Sequence, residues 1–219
     1  MSPKKRVAIL ISGRGSNMMA LIEAARAPDY PAEIVAVVSS RREAAGYAWA
    51  RAQGLPATLI DHRDFASRPA FDEAIDQVLA KAGVEVVALA GFMRIQGAGF
   101  VRKWQGRQLN IHPSLLPAFK GLNPQQQALD AGVKISGCTV HFVTEELDSG
   151  PIIAQAAVPV HEGDSAQSLA ARILGAEHQL YPQALALVAS GQATLAEGRV
   201  RILGAGPARG APPATPTFG

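Results

Sequence analysis

An asparagine and a histidine stand two positions apart where a predicted strand ends. Residues 109–117 read LNIHPSLLP, so Asn110 and His112 alternate along the chain. Side chains two residues apart on a strand project to the same side, so both would face one volume. An amide donor beside an imidazole is suited to stabilising an oxyanion and moving a proton. The pattern by itself favours a catalytic pair no more strongly than a solvated or capping histidine.

An acidic residue further along the chain could complete such a pair. Asp148 lies in the segment TEELDSGP, which forms the predicted turn between two strands. An acid in an isolated turn is most often a solvated surface residue. A carboxylate that reached His112 would instead favour the protonated, charged imidazole. His141 shares a strand face with Thr139, and a supporting role beside the site is its less favoured interpretation.

A glycine-rich turn follows the first predicted strand. Residues 12–17 read SGRGSN and open a predicted helix, whose first N–H groups and positive dipole end attract anions. The dinucleotide fingerprint needs a glycine where Met18 stands, and the Walker motif needs a Gly-Lys pair that this turn lacks. What remains is a short anion cradle of Gly15, Ser16 and Asn17, suited to a monophosphate. A tight turn without a ligand is the competing interpretation.

Alternating strands and helices must position these residues. In the first half of the chain, apolar runs typical of strands buried on both faces alternate with helical periodicity. The predicted strands are residues 7–11, 34–38, 57–60 and 86–90, and the predicted helices are residues 17–26, 41–53 and 69–82. This order predicts a doubly wound, mostly parallel α/β sheet, which binds ligands at the carboxyl ends of its strands.

The second half adds antiparallel elements to this sheet. Residues 107–111 are predicted as a fifth strand, and residues 134–143 and 152–158 as a C-terminal β-hairpin added to the sheet. A terminal helix over residues 165–188 is expected to be interrupted at Pro182, because proline cannot donate a helical hydrogen bond.

Composition sets broad limits on function. The 219 residues are 48% hydrophobic and 18% charged, which suits one domain over residues 1–204 and a disordered Pro/Gly/Ala-rich tail over residues 205–219. A net charge of +3 suits small anionic ligands rather than a nucleic-acid backbone. The single cysteine, Cys138, excludes an internal disulfide and a cysteine-based metal cluster.

The same composition bears on location and partners. No apolar run reaches the length of about 18 residues that suggests a membrane span. We therefore expect a cytoplasmic protein without nucleic-acid or membrane partners, either a monomer or a homodimer.

Taken together, the motifs resemble one enzyme family. The segments SGRGSN, AGFMR, LNIHPSLLP, GCTVHFVTEELDSGPII and AEHQLYP follow the order and spacing of the glycinamide ribonucleotide transformylases, over about residues 6 to 190. The resemblance implies the Rossmann-like formyltransferase fold. It also implies transfer of a formyl group from the co-substrate 10-formyltetrahydrofolate to the amine of 5-phosphoribosylglycinamide in purine synthesis, without a metal ion.

The resemblance assigns roles to individual positions. Asn110, His112 and Asp148 match the catalytic trio of the family, and Gly15, Ser16 and Asn17 match its phosphate loop. Glu177 matches a carboxylate that binds the ribose hydroxyls. The implied folate site comprises Arg68 near the glutamate tail, with Met93, Arg94, Ile95, Gln96, Asn110 and the backbone of residues 145–148 around the pterin.

Two features depart from the family pattern. Gln96 replaces an apolar residue common in the pterin pocket, so its side chain is expected to point away or to add a polar contact. Asn123 and Gln125 stand where some members carry histidines in a mobile loop, so no pH switch based on those histidines is expected.

Three other functions share parts of the pattern. Methionyl-tRNA formyltransferase carries a further basic domain and formyltetrahydrofolate deformylase a further N-terminal domain, and neither domain is expected here. The third alternative is a non-catalytic α/β sensor of sugar phosphates, which would fit if Asp148 lay far from His112.

Overall fold

A seven-stranded sheet forms the centre of the computed structural model, which describes residues 3–203. Its strands are β1 (Lys5–Ile11), β2 (Ala32–Ser39), β3 (Ala57–Leu59), β4 (Val86–Leu89), β5 (Gln108–His112), β6 (Ile135–Phe142) and β7 (Ile152–Pro159). The order across the sheet is β3-β2-β1-β4-β5-β6-β7. β1 to β5 are parallel, whereas β6 and β7 pair antiparallel. The predicted α/β class and the added hairpin are confirmed.

Helices cover both faces of this sheet. Within the described residues they are α1 (Ser16–Ala25), α2 (Ala45–Ala52), a 3₁₀ turn (His62–Asp64), α3 (Arg68–Lys81), α4 (Ala98–Lys103), α5 (Pro124–Asp130) and α6 (Ala166–Ala189). α1, α2, α5 and α6 contribute to the core on one face, and α3 and α4 to the core on the other. Among these described helices, none has the length and apolar character that crossing a bilayer requires.

β1 shows why a continuous apolar run forms a central strand. Val7, Ile9 and Ile11 belong to one hydrophobic core, whereas Ala8 and Leu10 belong to the other. All five side chains have no solvent exposure. Because successive strand residues point to opposite faces, only a strand covered on both sides keeps such a run out of water.

The terminal helix is not interrupted. α6 runs continuously from Ala166 to Ala189 with Pro182 inside it, so the predicted break is wrong. A proline in a helix interior typically costs about 3 kcal/mol. The fully buried Tyr181, Ala184 and Leu185 pack α6 into the core on both sides of the proline, and this burial offsets the cost.

The sequence patterns do not predict α4, α5 or the second sheet, which has two strands. That sheet is a hairpin of β8 (Ala193–Ala196) and β9 (Arg199–Ile202). Its turn residues, Glu197 and Gly198, have φ angles of 52° and 73°, as a type I′ turn requires. Glutamate rarely marks such a turn, so the local signal is weak. The tail predicted over residues 205–219 and the domain boundary at residue 204 lie outside the described residues.

The pairing of β6 with β7 depends on one glycine. A Cβ added at Gly137 would lie 2.0 Å from the carbonyl oxygen of Ala156 and 2.9 Å from Cδ2 of Leu115. We expect Gly137→Ala to lower the free energy of unfolding by about 2 kcal/mol or more, because the strands must separate to admit the methyl group. Denaturant unfolding followed by circular dichroism measures this loss.

Gly175→Ala is the matched control. The exposed Gly175 lies in α6, where an added Cβ meets no atom within 4 Å. Alanine favours a helix interior over glycine by about 1 kcal/mol, so this substitution should stabilise the protein. Equal effects of the two substitutions would contradict the close approach of the two strands.

Candidate active site

The order of the strands reverses between β1 and β4, and this switch point opens a crevice at their carboxyl ends. Ser12, directly after β1, ties the surrounding loops together. Its hydroxyl lies 2.7 Å from the hydroxyl of Ser40 and accepts a 2.8 Å hydrogen bond from the backbone N–H of Met93. The loops that follow β1, β2 and β4 are therefore held at one edge of the sheet.

The structure brings His112 and Asp148 together at this edge. His112 Nδ1 lies 3.4 Å from Asp148 Oδ2, and the two residues are only 5% and 8% exposed. His112 Nε2 donates to the carbonyl oxygen of Phe119 at 2.9 Å. Both ring nitrogens of His112 therefore face oxygen atoms of the protein that can accept a hydrogen bond.

Local backbone geometry holds Asp148 against the histidine. Asp148 has a φ of 50°, a left-handed conformation that non-glycine residues adopt rarely and that often marks functional positions. Its Oδ2 accepts a 2.9 Å hydrogen bond from the N–H of Gly121. Two residues on, a Cβ at Gly150 would lie 1.7 Å from the carbonyl oxygen of Phe142, so only glycine fits there. The turn after β6 is thus folded tightly back onto the sheet.

Asn110 joins this pair through a second histidine. Asn110 Nδ2 lies 3.2 Å from His141 Nε2, and His141 Nδ1 lies 3.0 Å from the carbonyl oxygen of Phe142. A carbonyl only accepts, so Nδ1 carries the proton, and Nε2 accepts from the amide of Asn110. His141 Nε2 also lies 3.9 Å from Asp148 Oδ1. Asn110, His141, Asp148 and His112 therefore form one continuous polar cluster.

His141 is the functional candidate that the sequence argument undervalues. It is 2% exposed, and burial lowers its pKa, which keeps the ring neutral and able to accept a hydrogen bond. The feature that points to His141 is the pairing of β5 with β6, in which His141 lies opposite Asn110 and Thr139 lies opposite His112. That register could not be read without knowing that β6 lies beside β5.

A buried hydroxyl orders the segment that follows His112. Thr139 Oγ1 donates to the carbonyl oxygen of Ser114 at 2.7 Å and accepts from the N–H of Leu116 at 3.0 Å. Gln155 Nε2 donates to the same hydroxyl at 3.0 Å and to the carbonyl oxygen of Leu116 at 2.9 Å. Pro113 and Pro117 have no backbone N–H to donate, and the side chains of Thr139 and Gln155 hydrogen-bond to the remaining backbone groups of this segment.

The predicted anion cradle lies at the start of α1. Gly15 has a φ of 77° and precedes the helix, which begins without a side-chain cap. A Cβ on Gly15 would lie 2.9 Å from the Cα of Gly46, so α2 packs directly against the turn. The first N–H groups of a helix lack partners within the helix, and here the turn leaves them available to an anion.

Asn17 and Glu177 meet beside this cradle, although 160 residues separate them. Asn17 Nδ2 donates to Glu177 Oε2 at 2.7 Å, and the two residues are 9% and 6% exposed. Burial raises the pKa of Glu177, and the hydrogen bond from Asn17 opposes part of that rise. Asn17 Oδ1 is buried without a hydrogen-bond partner among the described residues.

A cavity of about 340 Å³ lies between Arg14 in the glycine-rich turn, Glu177 on α6 and Pro113 directly after β5. It is lined by Arg14, Pro113, Gln125, Gln167, Ala170, Ala171, Leu174 and Glu177. Arg14 directly precedes the predicted cradle and Pro113 directly follows His112, so the cavity lies next in sequence to both. Its size, with one cationic and one acidic side chain in an otherwise uncharged lining, suits a small phosphorylated molecule.

The loop after β4 presents apolar side chains to solvent. Met93 and Ile95 are each 63% exposed. The N–H of Gly97, where the loop ends, donates to Asp72 Oδ2 at 2.7 Å. Arg68 lies beside the same point, since its Cδ is 3.9 Å from a Cβ built on Gly97. The structure thus places Arg68 of α3 beside the end of the loop that carries the predicted folate residues 93–96.

Gln96 turns its side chain inward. It is 9% exposed, and its Oε1 accepts a hydrogen bond from Nε2 of the fully buried Gln108. Gln96 therefore has a polar hydrogen-bond partner, Gln108, on β5. Gln108, Asn110 and His112 alternate along one face of that strand.

The described residues contain no group of three or more His, Cys, Asp or Glu side chains that could hold a metal ion. The polar cluster has one carboxylate and two imidazoles, each with a hydrogen-bond partner within the protein.

The fold and the site define a class of protein, the Rossmann-like α/β proteins that hold a ligand at the switch point of the sheet. Residues 5–185 match the family model described as formyl transferase. The chain belongs to the formyl transferase family.

Two relatives and one solved structure illustrate the match. Phosphoribosylglycinamide formyltransferase of Escherichia coli is 42% identical over 191 residues, which cover 87% of this chain and 90% of that protein. Trifunctional purine biosynthetic protein adenosine-3 of Bos taurus is 54% identical over 200 residues, which cover 90% of this chain but only 20% of that protein. The chain thus spans about a fifth of the length of that Bos taurus protein. The structure of glycinamide ribonucleotide transformylase 1 from Symbiobacterium toebii matches with a TM-score of 0.89 and 47% identity, covering 93% of this chain and 96% of that one.

The buried, neutral His141 predicts a pH dependence of stability. In the unfolded chain a histidine takes up a proton near pH 6.5, whereas burial lowers the pKa of His141 in the folded protein. The unfolded state therefore binds more protons between the two pKa values, and stability must fall as the pH falls through that window. We expect His141→Gln to flatten this dependence by up to about 1.4 kcal/mol per pH unit.

Unfolding free energies measured from pH 8 to pH 5 test this expectation. His161→Gln is the control, because His161 is exposed and distant in sequence from the cluster. His178, whose pKa burial also lowers, stays in both variants. A wild-type slope in His141→Gln would show that the buried ring is not the proton-linked group.

Proposed function

We propose that the protein transfers the formyl group of 10-formyltetrahydrofolate to the primary amine of 5-phosphoribosylglycinamide, in purine synthesis. The observation that carries the proposal is the 3.4 Å approach of His112 to Asp148 at the switch point, beside an anion cradle. The names of the relatives point to the same reaction. Family membership and site chemistry thus agree.

The amine substrate would occupy the cavity between the cradle and β5. Its phosphate would bind at Gly15, Ser16 and Asn17, where a helix begins without a side-chain cap. Its ribose hydroxyls would donate to Glu177, which Asn17 holds in place. The glycinamide amine would then point past Pro113 toward His112.

The folate co-substrate would lie on the other side of the polar cluster. The apolar surface of Met93 and Ile95 suits a flat pterin ring, and the backbone of residues 94–96 and 145–148 offers hydrogen-bonding groups around it. Arg68 would lie near the anionic glutamate tail. This arrangement would place the formyl group close to Asn110 and His112.

The residues of the cluster have distinct roles in the proposed reaction. The amine attacks the formyl carbon, a C–N bond forms, and negative charge develops on the formyl oxygen. Asn110 would donate a hydrogen bond to that oxygen, and protonated His112 would donate one through Nε2 in place of its contact with the carbonyl oxygen of Phe119. One such donor is typically worth about 100- to 1,000-fold in rate. Asp148 would keep His112 protonated and accept the proton that the amine loses. That proton would then reach N10 of the folate as the original C–N bond breaks, so charge and atoms balance.

Neither a metal ion nor a further cofactor is needed for this step. An amine is already a nucleophile, and binding two substrates side by side can supply several kcal/mol of the barrier. A cytoplasmic location, a monomeric or homodimeric state and the lack of nucleic-acid or membrane partners stay predictions.

Two alternatives make different demands on the site. A sugar-phosphate sensor would not need a carboxylate beside His112, so the observed contact favours catalysis. A deformylase would use water as the nucleophile and release formate without an amine substrate. The cavity lined by Arg14 and Glu177 offers room for a phosphorylated second substrate, which a deformylase would not need.

The proposal is tested by following the absorbance of the folate product. We expect product formation only when 5-phosphoribosylglycinamide is present. Product and formate released at the same rate without the amine would instead indicate a deformylase.

Substitutions in the cluster give a second test. His112→Ala removes a hydrogen-bond donor to the reacting oxygen, and Asp148→Asn removes the proton acceptor. Each substitution should therefore lower kcat by about 100-fold or more. Calorimetry should still detect binding of both substrates. Asp29→Asn, at an exposed position away from the crevice, is the control and should behave like wild type. Turnover near wild type in either cluster variant would refute the assigned roles.

A further inference from the structure

We propose that Arg14 neutralises the phosphate of the amine substrate and so determines the preference for a phosphorylated ribose. The inference rests on the proposed function, because it names a residue that would recognise the substrate of that reaction. It goes beyond the cradle of backbone N–H groups at Gly15, Ser16 and Asn17. Three observations carry it: the lining of the cavity, the free guanidinium and the charge that a phosphate brings.

The first observation concerns the lining of the 340 Å³ cavity. Arg14 is the only cationic side chain among the residues that line it, and Glu177 is the only acidic one. The other lining residues are glutamines or apolar. The cavity therefore has one residue that attracts an anion and one that suits hydroxyl donors, as a sugar phosphate requires.

The second observation concerns the partners of Arg14. Within residues 3–203, no carboxylate lies within ion-pair distance of its guanidinium, and it donates no hydrogen bond to the described residues. By contrast, Arg63 and Arg172 are both held by buried or half-buried carboxylates. Arg14 is exposed and keeps its full capacity for an incoming anion.

The backbone around Arg14 is held firmly although its side chain is free. The carbonyl oxygen of Gly13 accepts a 3.1 Å hydrogen bond from the N–H of Gly46. A Cβ on Gly46 would lie 3.1 Å from the carbonyl oxygen of Arg14 and 3.0 Å from the Cα of Gly15. Two glycines in close contact thus fix the turn, and the guanidinium extends from a rigid point.

The third observation is a balance of charge. A phosphate monoester carries about −1.5 to −2 charges at pH 7, whereas a helix N-terminus supplies only about +0.5. Glu177 adds no positive charge, and its ionised form would repel the phosphate. A guanidinium provides a full positive charge and two parallel N–H donors that match phosphate oxygens. Arg14 therefore supplies what the cradle lacks.

The cradle also contains an unpartnered polar atom. Asn17 is 9% exposed, and its Oδ1 has no hydrogen-bond partner among the described residues. A ribose hydroxyl or a protonated phosphate oxygen could donate to it. This atom indicates that a polar ligand completes the site next to Arg14.

A kinetic cycle tests the contact between Arg14 and the phosphate. Wild type and Arg14→Gln are compared on 5-phosphoribosylglycinamide and on the same amine without its phosphate. We expect Arg14→Gln to lower kcat/KM for the phosphorylated amine at least tenfold, mainly through KM, since a charge-assisted hydrogen bond is lost. For the amine without a phosphate, the same substitution should change kcat/KM by less than twofold.

Two further variants sharpen the comparison. Arg14→Lys keeps the charge but not the paired donors, so its kcat/KM should fall between those of wild type and Arg14→Gln. Arg26→Gln removes an exposed arginine beyond the other end of α1, where it pairs with Glu23, and should act like wild type on both amines. Equal losses on both amines, or no loss on either, would overturn the role of Arg14.

Binding of ribose 5-phosphate separates this inference from the proposed reaction. Calorimetry should show at least tenfold weaker binding to Arg14→Gln than to wild type, with circular dichroism confirming that the variant is folded. If wild type transfers no formyl group but this difference is seen, the proposed function fails and the phosphate contact stands. If wild type transfers the formyl group and the two affinities are equal, the phosphate contact fails alone.

Discussion

The contact between the His112 ring and the Asp148 carboxylate is the constraint on which the rest of the site depends. The two residues lie 3.4 Å apart, one at the end of β5 and the other in the turn between β6 and β7. Both are nearly buried, so each would be costly without the other. The left-handed backbone of Asp148 and the close approach at Gly150 are local strains that the pairing of three strands maintains.

The same principle extends through the polar cluster. His141 is buried and neutral, and this state lets it accept from Asn110 while its other nitrogen is bound to a backbone carbonyl. The orientation of the Asn110 amide is therefore set by a ring on the neighbouring strand. Preorganised donors of this kind need little rearrangement when charge develops on a substrate, which is why they are effective in catalysis.

The two sides of the crevice are built differently. On the cradle side, Gly15 and Gly46 are in contact, and Asn17 is bound to the buried Glu177, so the surface is rigid and polar. On the other side, Met93 and Ile95 are exposed on a loop whose end is tied to Asp72. In the proposed reaction, the small phosphorylated amine would bind at the first surface and the larger, flatter folate at the second. Gln96 and Gln108 add a buried polar pair behind the second surface.

Local periodicity and short-range spacing were enough to predict the α/β class, the parallel strands and the motifs around Asn110, His112 and the glycine-rich turn. Local patterns could not predict that α6 continues through Pro182, because burial of residues on both sides outweighs the tendency of proline to end a helix. They also gave only a weak indication for His141, whose contacts depend on which residue lies opposite it on the next strand. Tertiary structure alone decided that Asp148 reaches His112 and that Glu177 meets Asn17, since contacts between residues so distant in sequence arise only when the whole sheet and α6 have packed.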